Sequence, residues 1–371
     1  MEAAGQQRIV RAEDVAHMGI TEVLRHAPRV YTSYRRLIRS IRRQRPSVAI
    51  LIDFPDVNLR LARELKSLNI PVLYFVSPQL WAWKRSRLRW VQQRVDRMMV
   101  IFPFEAPFYR NRGVQAHFTG HPLAELPLPA STRETYAALH HLDPAKTWLA
   151  LLPGSRWKEV LANLPEMLRA AALLAPDFTP PGLEILLPIA STLDPARLTA
   201  FLTTNVRDVS VKIHVLPDAR EALHHARAAI VASGTATIQA AILGNPFAVV
   251  YRVSNMTYRL ARHLVRYPAE IPAQHDPSGN LPIAMPNLIA GHRIVPELIQ
   301  KDFSAENLAS TLRPLVADTP VRTKMLADLA NLRTHLLPPP GKTSIQQVCD
   351  AVNELLPPQP PANGAIPAES V

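Results

Sequence analysis

Hydrophobic residues along this chain fall into two recurring patterns, short runs that are apolar throughout and longer stretches that are apolar on one face. Ser47–Ile52, Val72–Val76, Met98–Phe102 and Ala116–Phe118 are runs of the first kind. A run without polar alternation suits a strand covered on both sides, as in the interior of a parallel sheet. Between these runs, residues 58–68 and the basic stretch ending at Arg97 show helical spacing. The alternation resumes after residue 146, with strands expected at Trp148–Leu152, Leu183–Leu187, Val211–Leu216, Ala229–Ala232 and Phe247–Tyr251. Strands alternating with helices predict an α/β architecture of doubly wound parallel sheets, and the repetition predicts two of them.

Residues 1–20 read as a short extended piece and a loop. From Thr21 to Arg45, Val23, Leu24, Val30, Tyr34, Leu37, Ile38 and Ile41 recur at helical spacing with arginines between them. Pro28 is expected to divide this stretch into two helical segments. A basic amphipathic helix can lie on a membrane or pack on a core with one face solvated, and both readings stand. Ser304–Leu355 reads as two or three helices, and residues 357–371, rich in Pro, Ala and Gly, as a disordered tail. The expected organisation is an N-terminal domain over 1–125, a linker over 126–146, a second domain over 147–303, C-terminal helices over 304–356, and the tail.

The chain of 371 residues can bury two cores. It contains no apolar run long enough to span a bilayer and no signal-peptide core. Its single cysteine, Cys349, forbids internal disulfides and suits a reducing cytoplasm. The net charge is +12. Basic residues concentrate at Arg35, Arg36, Arg39, Arg42, Arg43 and Arg45, and again at Lys84, Arg85, Arg87, Arg89, Arg94 and Arg97. An anionic membrane surface or phosphorylated substrates answer to that charge. Nucleic acid is disfavoured, because neither zinc-ligand spacing nor a nucleic-acid fold motif is present. No G-x-G-x-x-G follows a strand, which argues against a dehydrogenase.

Two strand-to-helix turns carry phosphate-friendly residues. In the first, Pro153-Gly154-Ser155-Arg156 follows the buried run ending at Leu152. Gly154 allows close backbone approach, Ser155 is expected to cap the helix, and the first-turn N–H groups with Arg156 favour an anion such as a diphosphate. In the second, Ser233-Gly234-Thr235-Ala236-Thr237 follows Ala232. Two such turns at the C-terminal edge of one sheet would converge on the crevice where open α/β sheets bind ligands. Each also fits an ordinary capping turn. Asp53 and Asp56 stand just past a strand, where a carboxylate can act as general base toward a hydroxyl. For Asp56 the expected role is the helix N-cap. His121 can contact substrate or hold its loop, and Trp81 and Trp83 can line a pocket or anchor a core.

Together these residues resemble lipid-A-disaccharide synthase, a glycosyltransferase family of the GT-B type. The resemblance covers nearly the whole chain, from MEAAG (1–5) and MGITEVL (18–24) to about Gln300. Its motifs are IDFPDVNLRLA (52–62), YFVSPQLWAWK (74–84), IFPFEAPFY (101–109), GHPLAE (120–125), LLPGSRWKEV (151–160), VASGTATIQAAILGNP (231–246) and MPNLIAGHRIVPELIQ (285–300). The resemblance implies two Rossmann-like domains facing a cleft, a UDP-2,3-diacylglucosamine donor, and lipid X (2,3-diacylglucosamine 1-phosphate) as acceptor. It implies inverting attack by the acceptor 6-hydroxyl, giving a β(1→6) disaccharide phosphate and UDP, without metal or cofactor. By the same match, Asp53 is the candidate base and Arg156 stabilises the departing diphosphate. Gly154, Ser155, Ser233, Gly234, Thr235, Thr237 and Gln239 would hold UDP, and Asn287, Glu297 and Gln300 would close the donor pocket. Met18, Ile20, Val23 and Leu24, with Trp81, Trp83 and His121, would meet the acceptor, its acyl chains or the membrane. The implied location is cytoplasmic and peripheral on the inner face of the cytoplasmic membrane, with a homodimer through exchanged C-terminal helices.

Three features depart from the family pattern. The family carries a first strand and a glycine-rich SAGExSGD-type loop ahead of the MEAAG segment, and an upstream start restoring both is expected. Gln239 stands where the family has a glutamate that grips ribose hydroxyls, and an amide there bonds more weakly than a charged group. Residues 267–284 resemble an insertion, expected to form a surface excursion near the donor cleft. Competing readings are an inactive remnant that binds UDP or lipid, and another GT-B-type enzyme such as a UDP-sugar epimerase.

Overall fold

The computed structural model describes residues 5–10, 23–178, 182–190, 192–205 and 211–357. Two parallel sheets organise them. The first comprises β1 (Ala49–Ile52), β2 (Val72–Phe75), β3 (Arg97–Val100) and β4 (Ala116–Phe118), side by side in that order. The second comprises β5 (Thr147–Leu152), β6 (Leu183–Pro188), β7 (Lys212–Leu216), β8 (Ala228–Ala232), β9 (Phe247–Tyr251) and β10 (Glu297–Ile299), in the order β10-β9-β8-β5-β6-β7. The two-sheet α/β reading is therefore correct. β10 escaped the pattern because three residues beginning with a glutamate show no alternation. Trp148 to Leu151 of β5 and Ala228 to Val231 of β8 are inaccessible to solvent, which is why both read as unbroken apolar runs.

Pro28 does not divide its helix, which runs unbroken over Val23–Gln44. The proline lies in the second turn, where it forfeits one backbone bond while the ladder beyond continues. Farther along this helix, Tyr34, Leu37, Ile38 and Ile41 pack on the core, and Arg42 pairs with Glu64 at 2.9 Å.

The Arg133–His140 helix backs onto the second sheet. Arg133 stands 3.6 Å above the Trp148 ring, and Tyr136 stacks on His225 at 4.5 Å. The C-terminal region forms three helices. Ala305–Val316 packs on Trp157–Leu174, and Pro320–Leu336 packs on Thr235–Leu243. Ser344–Leu355 crosses back to the first sheet, where Gln347 Nε2 donates to the Thr119 carbonyl at 3.2 Å. The Glu125 carboxylate accepts from the Ser344 N–H at 3.0 Å.

The segment 267–284 is a strap between the two halves rather than a surface excursion. Tyr267 packs on Trp81 with ring centroids 5.9 Å apart, and Ile271 is buried. Glu270 accepts from Arg112 Nη1 and from Asn111 Nδ2, each at 2.9 Å. Arg112 holds the Glu270 carboxyl down at about 2. An aromatic ring and a carboxylate each find a partner on the first domain, and an isoleucine between them is buried, so this Pro-rich segment is held inward.

Gly120 marks the second crossing. Its φ is +83°, and a Cβ there would stand 2.4 Å from the Pro338 nitrogen. Gly120→Ala is expected to cost about 2 kcal/mol or more, from left-handed strain plus the clash. A thermal melt should show a midpoint several degrees lower, and an unchanged midpoint would mean that this crossing is not tight.

Candidate active site

β5 pairs with β6 on one side and β8 on the other, with Leu152 opposite Val231. The chain steps outward from β5 to β6 and β7, then returns across β5 to lay down β8. That reversal is the topological switch point, where helices diverge and leave a crevice beyond the strand ends. Pro153–Arg156 and Ser233–Thr237 are the loops that leave these neighbouring strands, so both open at the same place.

The two loops differ in how their N–H groups are satisfied. In the first, Gly154 has φ +128°, and a Cβ would meet Glu159 Oε2 at 2.4 Å. Glu159 reaches back and accepts from the N–H groups of Ser155 at 3.0 Å and Arg156 at 3.3 Å. Ser155 therefore does not cap the helix; Arg156 is the N-cap residue of Trp157–Leu174 and Glu159 fills the loop. A glutamate three residues after an N-cap is a capping-box spacing, and that signal was available in the sequence. The Arg156 side chain is 82% exposed, with only a 3.4 Å approach to Glu159. Its guanidinium can reach a ligand.

In the second loop, Gly234 opens the Thr235–Leu243 helix with φ +153° and no side-chain cap. Gly234 and Thr235 are exposed and Ser233 is half-buried. An uncapped helix start with small residues leaves N–H groups that an anion can accept from. Thr237 is buried and its hydroxyl donates to the Gly234 carbonyl at 2.7 Å, which helps shape the loop. Gln239 is half-buried one turn farther along the same helix.

The expected donor-pocket trio is hydrogen-bonded within the protein. Asn287 donates to the Val295 carbonyl and Glu297, and accepts from the Ile294 and Val295 N–H groups, at 2.7–2.9 Å. All four of its hydrogen-bonding positions are used. Glu297 accepts from the Ile283 and Ala284 N–H groups, Asn287 and Arg293, and its side chain is fully enclosed. Gln300 holds Val253 by both backbone groups, at 2.7 and 2.9 Å. In this structure the polar groups of all three are engaged by protein partners around the β9 and β10 ends.

On the first sheet, Asp53 follows β1 in left-handed backbone, φ +46°, and Phe54 follows it at +45°. Two consecutive non-glycine residues in this region store strain that neighbours must hold. Asn58 Nδ2 donates to the Ile52 carbonyl at 3.0 Å and the Asp53 carbonyl at 2.7 Å, and the Tyr74 hydroxyl donates to the Asp53 carbonyl. The exposed Asp53 side chain is thus aimed by a locked backbone. Asp56 is not the N-cap. It lies in the first turn behind Phe54 and Pro55, and pairs with Arg87.

Trp81 serves as a core anchor: it is buried and its Nε1 donates to Glu105 Oε1 at 3.0 Å. Trp83 is 52% exposed, with Lys84 Nζ 4.1 Å from its ring centre. His121 is a buried cap whose Nδ1 accepts from the Leu123 N–H, and burial lowers its pKa to about 4. Met18 and Ile20 lie outside the described residues, as do the side chains of Val23 and Leu24. The C-terminal edges of the two sheets are brought together by the strap and by the Pro122–Glu125 helix, which contacts Thr235–Leu243.

A family model for lipid-A-disaccharide synthetase matches residues 1–337. A lipid-A-disaccharide synthase of Acidobacterium capsulatum is 53% identical over 366 residues, covering 96% of this chain and 87% of that protein. Among solved structures, the UDP-GlcNAc 2-epimerase of Neisseria meningitidis bound to UDP-GlcNAc aligns with a TM-score of 0.57 at 10% identity, over 91% of this chain and 84% of that one. CalG4, the calicheamicin glycosyltransferase, aligns at 0.50 with 16% identity, over 95% and 87%. These two share the fold.

Glu105 is the residue the sequence reading missed. It is fully buried, accepts from Ser77 Oγ at 2.7 Å, Trp81 and the Phe102 N–H, and so fixes the loop after β2. Burial pushes its carboxyl up to about 7, although those bonds oppose the shift. The folded state therefore holds this proton more tightly than the unfolded chain, and stability falls as pH rises through about 7. Denaturant titrations should show the wild type losing roughly 2–3 kcal/mol between about pH 5 and about pH 8, a decline that Glu105→Gln removes.

Proposed function

This chain belongs to the lipid-A-disaccharide synthase family, and from that premise we propose how its own residues carry out the transfer. The donor is a UDP-2,3-diacylglucosamine and the acceptor is 2,3-diacylglucosamine 1-phosphate. Asp53 takes the proton from the acceptor 6-hydroxyl as that oxygen attacks the donor's anomeric carbon. The bond to the diphosphate oxygen breaks on the opposite face, and the anomeric configuration inverts. UDP leaves with the bonding pair, and its charge falls on the Arg156 guanidinium and the uncapped helix start at Gly234–Thr235. The observation that carries this reading is the adjacency of β5 and β8, which opens both loops onto one crevice.

Glu159 gives this reading a particular form. Because it already bonds the Ser155 and Arg156 N–H groups, the phosphate contacts pass to the Arg156 side chain and to the second loop. Ser233 and Gln239 stand beside that loop as the remaining nucleotide contacts. Gly154 serves by leaving room for Glu159.

Both substrates are lipids, so the same reading puts the chain peripherally on the cytoplasmic membrane face. No helix among the described residues is long and apolar enough to cross a membrane. Arg35, Arg36, Arg39 and Arg43 form an exposed basic face suited to anionic lipid. A homodimer through exchange of the Ser344–Leu355 helix belongs to this reading as well.

Turnover of the two diacyl sugars, followed by mass spectrometry, tests the assignment. Arg156→Ala should lower kcat about 10²–10³-fold, as loss of a charge stabiliser does. Asp53→Asn should lower it about 10²–10⁴-fold with UDP affinity unchanged. Near-normal turnover in either variant removes that residue from the chemistry.

A further inference from the structure

The helix Asn255–Leu264 differs from its neighbours in burying none of its residues. At about 100° per residue, Met256, Leu260 and Leu264 fall in one row, four apart, and they are 81%, 59% and 60% exposed. Tyr258, Ala261 and Val265, on the opposite side, are half-buried against the protein. Arg259 and Arg262 lie on the stripe flanking the exposed row, with His263 between, and Arg266 follows two residues past the helix end. From Arg252 to Arg266 there are four arginines and no acidic residue. Solvent alone does not account for three large apolar side chains aligned beside cations.

The helix follows β9 at the C-terminal edge of the second sheet, beside the candidate crevice. Its end is joined to the first domain, because Arg85 donates to the Arg266 carbonyl. That contact sets the exposed Trp83, with Lys84 over its ring, on the neighbouring loop. Apolar and cationic groups from both domains thus stand near the same junction.

We propose that Asn255–Leu264 is a membrane-docking helix that seats Met256, Leu260 and Leu264 among the acyl chains of an anionic bilayer. Arg259, Arg262 and Arg266 meet lipid phosphates at the headgroup level. The charge complementarity selects an anionic lipid surface over a neutral one. The inference rests on the lipid-substrate reading above and extends it to the second domain, so that the bilayer lies beside the crevice that receives the substrates.

Co-sedimentation of the full chain with phosphatidylcholine vesicles, with and without phosphatidylglycerol, tests the proposal. The triple variant Met256→Ser, Leu260→Ser, Leu264→Ser should partition about tenfold less or weaker still, since three apolar side chains lose their burial. Arg259→Gln with Arg262→Gln should bind about tenfold less to anionic vesicles and equally to neutral ones. In a Cys349→Ser background, an environment-sensitive fluorophore on Leu260→Cys should shift to the blue when anionic vesicles are added. Turnover of detergent-dispersed substrates by the triple variant should stay at the wild-type level, which separates this proposal from the enzymatic reading. Wild-type partitioning by the triple variant overturns the proposal. So does conversion of a dimer to a monomer with vesicle binding unchanged, which would make this row a contact between copies of the chain.

Discussion

The pairing of β5 with both β6 and β8 is the constraint from which the crevice follows. A parallel sheet wound outward in one direction alone would seal the C-terminal end of each strand with the next crossover. Reversal at β5 sends two crossover helices apart, so the loops beyond Leu152 and Ala232 border an opening. The strands must be buried on both faces for this winding, and Leu149–Leu151 and Ala228–Val231 meet that demand with apolar side chains only. One loop is filled from within by Glu159 and the other is left uncapped at Gly234. The crevice therefore presents one exposed cation and one helix start without a side-chain cap, a division suited to a leaving diphosphate.

A cleft between two sheets also needs the sheets held in register. Two crossings do this. The strap places Tyr267 on Trp81 and Glu270 on Arg112, while the C-terminal helices bring Leu336 and Ser344 to His121 and Glu125. The strap ends on the loop after β2 and on the turn that leads into β4, and the C-terminal helices end on the loop after β4. The loop after β2 is itself fixed by the buried Glu105, so a carboxylate remote from the chemistry determines how the strap is received. Asp53 depends on a similar scaffold, since Asn58 and Tyr74 hold the left-handed turn that presents it.

The sheets, their strands and the two loops were legible because burial on both faces leaves an unbroken apolar run, and because glycine and small hydroxyl residues punctuate strand-to-helix turns. Side-chain roles were less legible. Asn287, Glu297 and Gln300 are polar residues in a recognisable motif, yet their groups are spent on local backbone. Sequence spacing cannot tell a polar residue that faces a ligand from one that satisfies buried N–H groups. Thr237 and Trp81 are alike in this, each having an internal partner few or many residues away. The strap was misread because Pro-rich composition signals irregular backbone but says nothing about where that backbone docks. Pro28 was misread because a proline near a helix start costs only one bond.

Hydrogen exchange of the full chain with and without UDP tests most directly the claim that the two loops at the β5–β8 junction hold the diphosphate together. The account predicts slowed exchange at the start of Thr235–Leu243 and around Arg156, with residues 285–300 little changed because their polar groups are already paired. Protection confined to 285–300, or at only one of the two loops, would contradict it.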